Sequence, residues 1–78
     1  MNNDAIISKI KAHIPDASII LDGDGYHFEA TIISKAFIGL NKIKRSQMVY
    51  DTLKEWIASG ELHAISLKTL TPEEANNG

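Results

Sequence analysis

Residues 22–25 read Asp-Gly-Asp-Gly and stand between two runs rich in β-branched side chains, 17–21 and 26–34. This arrangement constrains the fold more than any other feature of the chain. Gly tolerates positive φ, and an Asp carboxylate accepts from backbone N–H groups just ahead of it, so the stretch supplies a tight reversal between two strands. The second run alternates, with Phe28, Ala30 and Ile32 on one side and His27, Glu29, Thr31 and Ile33 on the other. That is the period of a strand covered on one face only. A lone hairpin is marginal in water, so the rest of the chain has to supply a further strand and a cover.

Two helical segments provide the cover. Residues 3–13 place Ile6, Ile7, Ile10 and Ile14 at helical spacing, with Asn3 expected as the N-cap and Asp4 set favourably against the helix dipole. Pro15 and Asp16 stop this helix, and His13 reads as a helix-end residue rather than a ligand. A longer helix is expected over roughly 43–59, where Ile43, Met48, Val49, Leu53, Trp56 and Ile57 form a broad apolar face. Gly39 permits the loop that leads into it, Phe37 is expected to anchor that loop, and Gly60 suits the position after the helix end. His63–Leu70 reads as a third strand. Thr71 then caps a helical start with Pro72 in the first turn, and the remaining residues to 78 are expected to form a short turn and a flexible tail.

The order α-β-β-α-β folds most economically as an α+β two-layer sandwich, a three-stranded sheet covered by two helices. At 78 residues the chain makes one domain, near the small end of what folds alone. It has no cysteine, hence no disulfide and no thiolate of its own for iron or zinc. The start, MNNDAIISKI, has no basic n-region and no apolar run of signal-peptide length, and no stretch approaches a membrane span. A soluble cytoplasmic protein is the expectation.

Enzyme signatures are missing. None of the serines lies in a nucleophile elbow, and the chain has neither a phosphate-binding loop nor a dinucleotide fingerprint. Asp22 and Asp24 are better explained as turn chemistry than as an acid/base pair. His27 and His63 both lie at strand beginnings, each readable as a structural polar residue or as a ligand. If the second and third strands are neighbours, both imidazoles could face one edge. Charge is uneven: residues 35–54 carry five cations and only Asp51 against them, whereas the rest carries three cations and nine carboxylates. Lys42, Lys44 and Arg45, just after Gly39, are candidate phosphate contacts, although a solvated helix face is the plainer reading.

Several separated motifs now agree in order and spacing. Phe37 and Gly39, then Arg45, then Val49-Tyr50, then His63-Ala64-Ile65-Ser66, then Thr71-Pro72-Glu73 resemble the signature of the BolA family, and the upstream GDGYHFEATIIS resembles its IbaG-like bacterial branch. The resemblance covers about residues 4 to 74. It implies an α-β-β-α-β fold similar to class II KH domains. It also implies an accessory protein, not an enzyme, that pairs with a monothiol glutaredoxin and shares a [2Fe–2S] cluster with it, for cluster trafficking or sensing.

In such a complex the thiolates come from the partner's cysteine and from glutathione, and the BolA-like chain supplies the His of its His-Ala-Leu-Ser motif, here His63. No cluster is expected in the isolated chain. Many members place a Cys or His in the loop between the first two strands; here Asp24 stands near that position and His27 slightly later, which makes His27 the candidate second ligand. The resemblance also carries a second reading, a nucleic-acid-binding regulator of the stress response using Lys42, Lys44 and Arg45 on DNA. The Gly-x-x-Gly loop with which KH domains clamp RNA is absent. A homodimer of the free chain is compatible with either reading.

Overall fold

In the computed structural model, which describes residues 1–77, helix α1 (Asn3–His13) is capped by Asn2 rather than Asn3. The cap has to be the last residue outside the helix. Asn2 is extended, with φ −103° and ψ 162°, and its side chain accepts from the Ala5 N–H at 2.8 Å. Asn3 is already helical, and its amide donates instead to the Leu21 carbonyl at 3.3 Å.

Strands β1 (Ser18–Gly23) and β2 (His27–Ile33) form the expected hairpin, with Ser18 opposite Ile33 and Gly23 opposite Phe28, but β1 runs on through Asp22 and Gly23, so the reversal expected over 22–25 lies at 24–26. A short 3₁₀ turn over Lys35–Phe37, which the sequence reading did not anticipate, leads to α2 (Lys42–Ser59). Asn41 caps α2 by accepting from the Lys44 N–H at 2.9 Å. Gly60 closes it in the left-handed region at φ 84°, as the sequence required. Helix α2 carries the chain back along the sheet, so β3 (Ala64–Leu70) enters parallel to β2 and the strand order is β1-β2-β3.

Both helices lie on one face of the sheet. Ile6 and Ile10 from α1 and Ile14 just past its end, Phe28, Ala30 and Ile32 from β2, and Val49 and Leu53 from α2 close the core together with Phe37 and Leu62. The apolar face expected on α2 is narrower than predicted. Ile43 is 70% exposed and Ile57 40%, while Arg45 and Thr52 take inward positions. A sheet of three strands admits only one stripe of α2, running through Arg45, Met48, Val49, Thr52, Leu53 and Trp56, and Ile43 and Ile57, off that stripe, stay largely in water.

Most of the stretch expected as a short turn and tail, about 71–78, is helical. Helix α3 (Pro72–Asn77) follows β3, and Gly78 lies outside the described residues. A reciprocal cap holds it: Glu74 N–H donates to Thr71 Oγ1 at 3.2 Å, and Thr71 N–H to Glu74 Oε1 at 2.8 Å. At the same end of the sheet, Asp16 accepts from the Ser34 hydroxyl at 2.6 Å and from the Lys35 N–H at 2.9 Å. These two bonds hold the Asp16 carboxyl below its ordinary range.

Candidate functional site

Gly60 stops α2, and β3 begins four residues later, at Ala64. Between them Leu62 is buried and its N–H donates to the Trp56 carbonyl at 3.0 Å, while Ala64 N–H donates to the Tyr26 carbonyl at 3.2 Å. The backbone of His63 is therefore fixed on both sides while its side chain is exposed. The imidazole packs against the Tyr26 ring, with centroids 5.2 Å apart and planes 43° apart. Among the described residues no side chain or backbone group hydrogen-bonds it. It borders a concavity shared with Met1, Asn2, Ala5, Trp56, Gly60 and Glu61, where the start of α1 meets the end of α2.

His27 opens β2 on the sheet face that carries no helix. It borders a different concavity, with Asp22, Gly23, Asp24 and Glu29. Asp24 accepts from the His27 N–H at 2.9 Å and the Tyr26 N–H at 2.8 Å, which sets the turn and lowers its carboxyl below the usual range. Gly23 leaves no room for a side chain: a Cβ there would lie 2.5 Å from Phe28 Cδ1 and 2.6 Å from the His27 carbonyl oxygen. Because His27 pairs with Ala64, His63 falls one register position beyond it. Strand alternation then directs the two side chains to opposite faces. Both histidines thus stand at one end of the sheet but in separate concavities.

Among the described residues no three His, Asp or Glu side chains gather to hold a metal ion. An exposed imidazole on a fixed backbone, in a chain without cysteine, fits a metal centre completed by a second molecule. Tyr26 was not among the residues singled out in the sequence. Its place beside His63 depends on the register of β2 against β3, for which a single sequence gives no signal.

Of the three candidate phosphate contacts Lys42, Lys44 and Arg45, Arg45 is turned inward. Only 7% exposed, it donates through Nε to the Leu40 carbonyl at 2.8 Å and through Nη1 to the Thr69 carbonyl at 3.4 Å. Its Nη1 and Nη2 reach the two carboxylate oxygens of Glu74 at 2.7 and 3.4 Å, a fork-to-fork pair. The guanidinium, with the Thr71 N–H, holds the Glu74 carboxyl down at about 2. Lys42 Nζ donates to the Thr69 carbonyl at 2.8 Å, whereas Lys44 stays exposed. Tyr50, also from α2, donates through its hydroxyl to the Ile65 carbonyl at 3.2 Å. Lys42, Arg45 and Tyr50 thereby occupy two carbonyls on the free edge of β3, those of Ile65 and Thr69.

The BolA-like protein family model matches residues 5–74. The acid stress protein IbaG of Escherichia coli is 35% identical over 74 residues, which cover 95% of this chain and 88% of that one. A bolA protein homologue from Coxiella burnetii superposes with a TM-score of 0.86 at 34% identity, over 97% of each chain. The BolA domain of SufE1 from Arabidopsis thaliana superposes with a TM-score of 0.80 at 27% identity, over 95% of this chain and 98% of that domain. With the fold, the ordered motifs and these likenesses in agreement, the chain belongs to the BolA-like family, in its IbaG-like bacterial branch.

Proposed function

We propose that this protein is an iron–sulfur adaptor: it binds a monothiol glutaredoxin and completes a [2Fe–2S] site between the two proteins, for cluster trafficking or sensing. The observation that carries the reading is His63, an exposed imidazole with no hydrogen-bond partner among the described residues, on a backbone fixed by Leu62 and Ala64. With no cysteine in the chain, the thiolates come from the glutaredoxin and from glutathione. His63 is the ligand from this side and His27 the candidate for a second position. A neutral imidazole in place of a thiolate removes negative charge from the cluster and raises its potential. It ligates only when deprotonated, so acid works against the shared site. No catalytic role is assigned to any residue.

The DNA-regulator reading has less support, because Arg45 is taken up by Glu74 and Lys42 is engaged at Thr69, which leaves Lys44 as the free member of the trio.

The test is anaerobic cluster reconstitution with a monothiol glutaredoxin and glutathione, followed by visible circular dichroism with and without this protein. The expected result is a new spectrum that is lost in His63→Ala and altered in His27→Ala. A spectrum identical to that of glutaredoxin alone overturns the adaptor reading. A new spectrum that survives His63→Ala overturns the ligand assignment.

A further inference from the structure

The sheet has two edges, and they are finished differently. The hydrogen bonds that join the strands and cap their ends fix which backbone groups face outward. Ala64 N–H bonds the Tyr26 carbonyl and Ser34 N–H the Leu70 carbonyl, so Ala64, Ser66, Lys68 and Leu70 face β2, and Ile65, Leu67 and Thr69 turn to the free edge. Two of those outward carbonyls are covered by α2, Ile65 by Tyr50 and Thr69 by Lys42 and Arg45. On the other side, Asp24 N–H bonds the His27 carbonyl, so Asp22, Ile20 and Ser18 face β2, while Ile19, Leu21 and Gly23 face out. Among the described residues only one bond reaches this edge, from Asn3 to the Leu21 carbonyl, and a carbonyl keeps a second lone pair for another donor.

Strand β1, Ser-Ile-Ile-Leu-Asp-Gly, contains no Lys, Arg or Pro. Lysine, proline and bulges are the usual devices that keep an edge from pairing. Its Ile20 is 66% exposed on the sheet face without helices.

The geometry points to β1 as a strand-pairing edge whose occupant is β1 of a second copy, joined antiparallel about a two-fold axis at Ile20. The strand is complementary to itself in that register. Ile19 of one copy meets Leu21 of the other, and both present N–H and C=O outward, so four main-chain bonds form. Ile20 meets Ile20 across the axis as a non-hydrogen-bonded pair, where side chains approach most closely. Ser18 meets Asp22, a hydroxyl opposite a carboxylate, and no like charges face each other. The result is an isologous dimer with one continuous six-stranded sheet. The contact is small and of the transient class. It does not depend on the cluster reading, since His63 lies at the β2–β3 side.

The test uses the intact chain from dilute to near-millimolar protein. Sedimentation should show the mass rising from monomer towards dimer. Amide exchange by NMR on the same samples should slow at Ile19 and Leu21 while Ile65, Leu67 and Thr69 stay unchanged. Ile20→Lys should keep the parent far-UV circular dichroism and remain a monomer. Because the chain has no cysteine, register can be read directly: with diamide as oxidant, Ile20→Cys should cross-link into a dimer far more readily than Ser18→Cys, since only residue 20 meets its own copy. A parent that stays monomeric at the highest concentration overturns the proposal. So does protection that rises at β3 instead of β1, or cross-linking of Ser18→Cys equal to that of Ile20→Cys.

Discussion

The two ends of the parallel β2–β3 pair carry residues that look equally chemical in the sequence, yet the fold treats them in opposite ways. At the end where β3 finishes, Arg45 is buried, and its donors are met by Leu40, Thr69 and Glu74. At the end where β3 starts, His63 is exposed and packs against the Tyr26 ring. A buried ionic group whose partners are all supplied belongs to the architecture, because every bond it makes replaces one that water would have made. An exposed side chain with unused capacity on a rigid backbone can be recruited by another molecule at little ordering cost. The difference separates two motif residues that composition and spacing could not.

This contrast can be broken most directly at Arg45. Arg45→Ala takes the side-chain donor from the Leu40 carbonyl and the guanidinium from Glu74, leaving Thr69 to Lys42 and Glu74 to the Thr71 N–H, and is expected to cost about 3 kcal/mol in urea unfolding. It should also loosen α3, seen as faster amide exchange at Ala75, whose N–H bonds the Thr71 carbonyl at 3.0 Å. A loss under about 0.5 kcal/mol, the usual size of a surface substitution, would place Arg45 back among the solvated cations.

Gly23→Ala probes the other end. The added Cβ meets backbone as well as the Phe28 ring, so the turn has to shift at a cost of about 2 kcal/mol. The shift should also move the NMR resonances of His27, which follows directly from that turn, more than those of the Arg45 end.

Acid sharpens the comparison further. Glu74, Asp16 and Asp24 all have carboxyls held below their ordinary values, Glu74 at about 2 against 4.5. A lowered folded-state pKa stabilises above the unfolded value and loses that contribution as pH falls through the folded one. Stability should therefore decline from about pH 4.5 towards about pH 2, and the decline should be shallower in Arg45→Ala, where Glu74 has lost its main partner. Equal slopes in the two proteins would remove the Arg45–Glu74 pair as the source. The smallest effects are expected at His63→Ala and Lys44→Glu, each within about 0.5 kcal/mol of the parent, because neither side chain is buried. A large loss at His63→Ala would make that residue structural.

By itself, the sequence determined what depends on neighbours along the chain. The Asp-Gly turn, the alternation of Phe28, Ala30 and Ile32, the stop at Gly60 and the cap at Thr71 are all short-range physics, and the structure carries each of them as expected. The ordered motifs likewise made the family legible before any coordinates.

Only the tertiary structure decided what depends on distant partners. Ile43 satisfies helical spacing, yet it remains outside because three strands are too narrow to receive it. Arg45 reads as a surface cation until Glu74, 29 residues on, folds back to meet it. His27 and His63 reach one end of the sheet through the parallel register of β2 and β3, and the pleat then parts them into two concavities. The open β1 edge and the partly covered β3 edge follow from where α2 lies over the sheet. Periodicity says which residues share a face of one element, but which face turns inward, and what meets it there, is a property of the packed whole.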